Sequence, residues 1–205
     1  MFLIGLTGGI ASGKSSVAAL LREAGAQTID ADEVAREVVQ PGSEGLARVV
    51  EAFGSAVLNP DGTLSRERLG ELVFSDPNLR IQLEAILHPL IRSRTMELIS
   101  QSDSDVVVYQ VPLLVEAKVD YPFDMIVTVE AGVDSQIKRL MKSRGLSEVQ
   151  AKERIAAQAT EQQRVQASSY RIDTSGPKDL LAPQVSKLWE RIKAAAEGVK
   201  SNGEN

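Results

Sequence analysis

Gly8-Gly9-Ile10-Ala11-Ser12-Gly13-Lys14-Ser15 is the stretch on which the rest of the chain turns. It fits G-x-x-x-x-G-K-[ST], the phosphate-binding loop. The apolar run Phe2-Leu3-Ile4-Gly5-Leu6 precedes it as a buried strand, and Ser16-Val17-Ala18-Ala19-Leu20-Leu21 follows as a helix. Strand, glycine loop and helix, in that order, are what the motif requires. The glycines let the backbone curl so that its N–H groups surround an anion, and the positive end of the next helix adds to that field. Gly9, Ile10, Ala11, Ser12, Gly13, Lys14, Ser15 and Ser16 are therefore the expected nucleoside-triphosphate-binding residues. Lys14 would reach the β- and γ-phosphates as a point charge, and the Ser15 hydroxyl would ligate Mg²⁺. The bland alternative is a glycine turn that happens to precede a lysine, and the flanking strand and helix argue against it.

Working outward, Gly25 closes the first helix, and Gln27-Thr28-Ile29 makes a second short strand running into Asp30-Ala31-Asp32. Val34, Ala35 and Val38 then keep helical spacing up to Pro41-Gly42. Two carboxylates thus fall where a strand gives way to a helix, which in an open parallel sheet is the edge that carries the phosphate loop. Asp30 is expected to cap the helix. A cap explains one acid, not two. Asp32 falls in the first turn, where it suits a base that accepts a hydroxyl proton.

From Ser43 to about Ile99 the sequence is mostly helical. Leu46, Val49, Val50 and Phe53 form one face, Ser65 caps a second helix, and Asp76-Pro77 opens a third. Pro89 is expected to interrupt that third helix, with Ile91, Thr95 and Leu98 resuming the pattern. So long a connection exceeds a crossover helix and reads as an inserted module for a second substrate. The only histidine, His88, sits at this junction without a neighbouring ligand set, so a structural role competes with a binding one.

Val106-Val107-Val108-Tyr109-Gln110-Val111-Pro112 is the clearest central strand, and Met125–Val129 is the next. The usual acidic partner of a phosphate loop is missing from the former, so Asp30, Asp32 or Glu116 must supply it. Beyond lie two polar helical stretches rich in Lys138, Arg139, Lys142, Arg144, Lys152, Arg154 and Arg164, with a capping box at Ser147–Gln150. They are a solvated face or a lid that brings arginines over the transferring phosphate. Arg171–Thr174 is a last short strand, and Trp189 keeps phase with the apolar face of a closing helix that starts later than Leu180. Ser201 to Asn205 reads as a loose tail.

With 205 residues the chain suits one α/β core plus an insertion. It has no cysteine, which excludes disulfides, thiolate metal sites and cysteine nucleophiles. The first residues enter a core strand without a leader pattern, and no apolar run approaches the roughly 20 residues of a membrane span. A cytoplasmic protein with no membrane partner is expected. The net charge of −5 speaks against non-specific nucleic-acid binding.

The assembled pattern resembles the dephospho-CoA kinases. The likeness rests on Leu6 to Ser15, on Ile29-Asp30-Ala31-Asp32 with Ala35-Arg36, and on His88-Pro89. It continues through Val111-Pro112-Leu113-Leu114 with Glu116, Lys138-Arg139, Arg154-Ile155 with Gln158, and Ile172-Asp173. The resemblance implies an α/β P-loop kinase fold, a parallel sheet flanked by helices with a helical substrate-binding insertion and a helical lid. The core would comprise residues 1–42, 100–135 and 165–200, the acceptor module 43–99 and the lid 136–164. The nucleotide implied for Gly9 to Ser16 is ATP, and the chemistry implied is transfer of its γ-phosphate to the ribose 3′-hydroxyl of dephospho-CoA. Asp32, Lys14 and Arg139 would be catalytic, with Asp32 the base. Asp32, His88, Leu113 and Glu116 would contact the acceptor. Ser15 would hold Mg²⁺, with Asp30 or Glu116 acting through water. A monomer or small homo-oligomer is expected. Two positions depart from the family pattern: Ala11 replaces the more usual glycine, and Thr174 stands where asparagine is commoner. The rivals are a kinase for another hydroxyl acceptor, a nucleoside or shikimate, and a P-loop switch. The switch lacks its guanine-reading N-K-x-D.

Overall fold

The computed structural model describes residues 1–117 and 121–203. Five strands form one sheet in the order β2-β3-β1-β4-β5, with β1 Phe2–Gly8, β2 Gln27–Asp30, β3 Val106–Gln110, β4 Met125–Glu130 and β5 Tyr170–Asp173. β1 runs parallel to β3 and β4, and β4 parallel to β5, with Ile4 opposite Val108 and Met125. β1 and β3 are buried along their whole length, as strands covered on both faces must be. The order reverses at β1, so the loop leaving its C-terminal end lies where a crevice opens in such sheets.

The chain divides into two compact units. The first, Met1–Thr28 with the chain from Ser102 onward, holds the sheet core. Phe2, Ile4 and Leu6 alternate toward one face, where α1 (Lys14–Glu23) and α9 (Leu181–Gly203) cover them with Val17, Leu21, Val185, Leu188 and Ile192. Trp189 packs at the edge of this core, in keeping with its phase. Pro183 lies in the first turn of α9, where a missing N–H leaves no hydrogen bond unmade. Helix α9 extends to Gly203, so Ser201–Gly203 are helical and not a loose tail, while Glu204 and Asn205 lie outside the described residues.

The second unit, Ile29–Gln101, is helical: α2 Ala31–Glu37, α3 Glu44–Phe53, α4 Arg66–Ser75 and α5 Pro77–Ser100. Val49, Val57 and Leu69 centre its core, with Phe53, Leu83, Ile86 and Leu87 packed around them. Ser43, Ser65 and Asp76 cap α3, α4 and α5 through side-chain oxygens, as their positions before apolar runs predict. Pro89 does not interrupt α5, which continues through it to Ser100. Pro89 is exposed, so water can take up the carbonyl that its missing N–H releases. Three further helices, α6 Val133–Arg144, α7 Glu148–Ala156 and α8 Glu161–Gln166, complete the first unit. Among the described residues no helix is long and apolar enough to cross a membrane.

Candidate active site

The loop of residues 8–15 joins β1 to α1. Its tightness is built in by contacts that a side chain would break. A Cβ at Gly8 would fall 2.5 Å from the Val129 carbonyl oxygen, and one at Gly9 would fall 2.6 Å from Gln136 Nε2. Ala11 takes a left-handed φ of 57° and Gly13 one of 92°. The alanine is held there by packing, because with Ile10 it lies against Ile137, Leu140 and Ala151 of α6 and α7.

Three successive loop carbonyls are bound from outside. Gln136 Nε2 donates to the Ile10 oxygen at 2.8 Å, and Arg139 Nη1 to the Ala11 oxygen at 3.0 Å. Thr174 Oγ1 donates to the Ser12 oxygen. A trans peptide sets its N–H opposite its C=O. Outward carbonyls at 10, 11 and 12 therefore turn the N–H groups of Ala11, Ser12 and Gly13 inward. That of Ser12 bonds the Gly9 oxygen at 3.0 Å across the turn. The Ile10 N–H is taken by Gln158 Oε1 at 2.7 Å. Inside the loop, the Ser12 hydroxyl is buried and lacks a partner among the described residues. Lys14 stands half-buried at the first position of α1, and Ser15 and Ser16 are exposed in its first turn.

Arg139 is half-buried, and its guanidinium also donates to the Thr174 hydroxyl at 3.2 Å and to the Thr174 carbonyl. Lys138, Lys142, Arg144 and Arg154 are exposed, as either a solvated face or a lid would have them. Arg164 is different from both readings of the polar helices: it is buried and paired. Its Nε and Nη2 reach Glu130 Oε1 and Oε2 at 2.8 and 2.6 Å, and Nη1 donates to the Ala159 carbonyl. Burial opposes the charge on Arg164, but its bonds to Glu130 outweigh that and leave its pKa raised. Thr128 Oγ1 donates to the same carboxylate at 2.5 Å. This pair lies under the loop, since a Cβ at Gly9 would come within 3.0 Å of Arg164 Nη2. Arg164 is thus a support of the loop and not a cation held over it.

Glu116 and Leu113 lie in the turn after β3, with Leu113 exposed and Glu116 Oε1 accepting from the Ala159 N–H at 2.8 Å. In the helical unit, Asp30 caps α2 by accepting the Asp32 N–H at 2.8 Å, as expected from its position. The Asp32 side chain takes no part in that cap and is exposed. His88 is also exposed, on α5, so it is not a core histidine. The first unit brings together the loop, Lys14, Arg139 and Glu116, while Asp30, Asp32 and His88 belong to the second. Sequence reasoning missed the roles of Gln136, Thr174 and Glu130. Gln158 carried a signal as part of the family pattern, and position 174 carried one only as a departure from it.

The chain matches the model of the dephospho-CoA kinase family over residues 2–179. It is similar to dephospho-CoA kinase from Thermobifida fusca, with 46% identity over 194 residues, 94% of this chain and 97% of that protein. Among solved structures, TT1252 from Thermus thermophilus matches with a TM-score of 0.80 and 31% identity, covering 94% of this chain and 96% of that one. A dephospho-CoA kinase from Campylobacter jejuni matches with a TM-score of 0.63 and 21% identity, covering 93% and 96%, a likeness of fold alone.

Proposed function

From the premise that this chain belongs to the dephospho-CoA kinase family, and phosphorylates dephospho-CoA at the expense of ATP, we propose how its residues divide the work. The loop N–H groups and Lys14 hold the triphosphate and neutralise charge as the γ-phosphoryl leaves. Asp32 orients the ribose 3′-hydroxyl of dephospho-CoA and takes its proton. Arg139 belongs to the active centre, on the loop's outer side. His88, Leu113 and Glu116 contact the acceptor. Residues 1–42, 100–135 and 165–200 serve as the nucleotide core, 43–99 as the acceptor module and 136–164 as the lid. The enzyme works in the cytoplasm as a monomer or small homo-oligomer.

The donor set fits Mg²⁺. Among the described residues no group of three or more histidines and carboxylates could cage a metal. An ion that keeps several waters and takes phosphate oxygens needs no cage. The Ser15 hydroxyl, exposed at the helix start, would hold it, and Asp30 or Glu116 would act through water. Each of these acids gives one oxygen to a backbone N–H and retains the other. When bound, the ion supplies charge neutralisation at the β- and γ-phosphate oxygens.

The observation that supports this reading most is the loop whose carbonyls at 10, 11 and 12 are bound from outside, which turns the Ala11 and Gly13 N–H groups inward toward an anion. The test separates the two aspartates. Asp32→Asn keeps size and removes the base, so kcat should fall by about 10²–10⁴ with ATP binding nearly unchanged. Asp30→Asn should weaken the α2 cap and Mg²⁺ affinity, and extra Mg²⁺ should restore part of its activity. Full activity in Asp32→Asn, or its rescue by Mg²⁺, would reverse the assignment.

A further inference from the structure

Resting on the assignment of the loop to ATP, we propose that Thr174 is a positioning residue for phosphoryl transfer, one that fixes which way the Ser12–Gly13 peptide faces. Thr174 follows β5 and is buried. Its N–H donates to the Glu130 carbonyl at 2.7 Å, so it is rooted at the paired ends of β4 and β5. Its hydroxyl has one proton to give. The Ser12 oxygen is nearer than the alternative acceptor, the Glu130 oxygen at 3.2 Å, and takes it. The same hydroxyl accepts from Arg139 Nη1, which also holds the Ala11 oxygen, while Nη2 holds the Thr174 carbonyl. Thr174 and Arg139 therefore form one latch across two successive loop peptides.

The latch matters because of what Gly13 lacks. At φ 92° without a Cβ, its backbone offers little steric resistance to rotation of the peptide that precedes it. Rotation would turn the Gly13 N–H outward and aim the Ser12 carbonyl at the phosphates, replacing attraction with repulsion. The sheet supplies the missing restraint. A Cβ at Gly13 would lie 3.5 Å from Arg139 Nη1 and 3.6 Å from both Thr174 Oγ1 and Cγ2, so the latch rests directly on this residue. The glycine permits the turn, and the threonine hydroxyl selects its orientation.

The experiment compares full-length Thr174→Val, which keeps shape and loses the hydroxyl, with Thr174→Ser, which keeps the hydroxyl. ADP binding is measured by calorimetry, and Michaelis constants are measured for ATP and for dephospho-CoA. Thr174→Val should bind ADP about tenfold more weakly, the scale of one hydrogen bond, and raise KM for ATP similarly. KM for dephospho-CoA should stay within about twofold, and Thr174→Ser should bind ADP like the parent. If the valine chain does not fold, Thr174→Ala removes the same hydroxyl with less crowding at Gly13 and carries the same expectations. Unchanged ADP affinity, an equal rise in both Michaelis constants, or a serine variant no better than valine would overturn the proposal. Failure of the ATP assignment would look different: the parent and Lys14→Ala would bind ADP equally, whatever stands at 174, and the proposal would fall with it.

Discussion

Glu130 and Arg164 have side chains only 1% and 5% exposed, and their ion pair is bidentate and braced by Thr128. Such a pair contributes little net stability over an apolar one, yet its half is costly. Glu130→Ala should therefore destabilise the fold by roughly 3–5 kcal/mol, because a buried guanidinium is left without its acceptor. Glu130→Leu with Arg164→Met should recover most of that loss. About 1–2 kcal/mol should remain, since the Ala159 carbonyl loses a donor and the buried Thr128 hydroxyl its acceptor. Urea midpoints of the single and double variants decide it, and a double variant no more stable than the single would refute the pairing argument. No local pattern announces this pair. In sequence Arg164 is one more cation on a polar helix, and Glu130 an acid at a strand end. Their complementarity exists only once the segments 34 residues apart are brought together.

At the scale of elements, what depended on neighbours within a few residues could be read in advance. Strand, loop and helix around Lys14, the caps at Ser43, Ser65 and Asp76, and the capping box at Ser147 each arise from side chain and backbone a turn apart. The bonds that shape the loop could not, because Gln136, Gln158 and Thr174 reach it from 126, 148 and 162 residues away. Pro89 misled for the opposite reason. A local rule against proline within a helix was outweighed by the packing of α5, which presents Leu83, Ile86 and Leu87 to one side and Pro89 to solvent. That geometry makes His88 a clean probe. Because it is exposed on a continuous helix, His88→Ala should leave the melting temperature within about 1 °C. If it binds the acceptor, KM for dephospho-CoA should rise by about two- to tenfold while KM for ATP does not. Equal changes in both constants would remove it from the acceptor site.

For the whole molecule, acid stability follows from two effects whose signs differ above the isoelectric point and agree below it. Twenty-eight acids against 23 bases give −5 at neutral pH and a pI near 5.1. Lowering pH from 7 toward 5 relieves net repulsion and favours the compact state slightly. The local effect begins later. Asp173 is held below the usual carboxylate range by the Ser175 hydroxyl and N–H, and Glu97 is lowered by Arg94. Glu148 is lowered by Lys152, and Asp61 by the Thr63 hydroxyl and N–H. For a depressed carboxyl the unfolded chain binds the proton first, so its contribution is complete above the unfolded pKa and is lost as pH falls through the folded one. These groups are solvent-exposed, so each contribution is small and sensitive to salt. Below about pH 4.5 the growing positive charge and the loss of these bonds act together. The urea midpoint should accordingly be flat or slightly higher at pH 5.5 than at 7, then fall steeply toward pH 3.5. Asp173→Asn should lower the neutral midpoint slightly and make the acid limb shallower, because the asparagine has no proton to gain. A midpoint that rises between pH 4.5 and 3.5, or an Asp173→Asn limb as steep as the parent's, would show that these carboxyls are not what the folded state holds ionised.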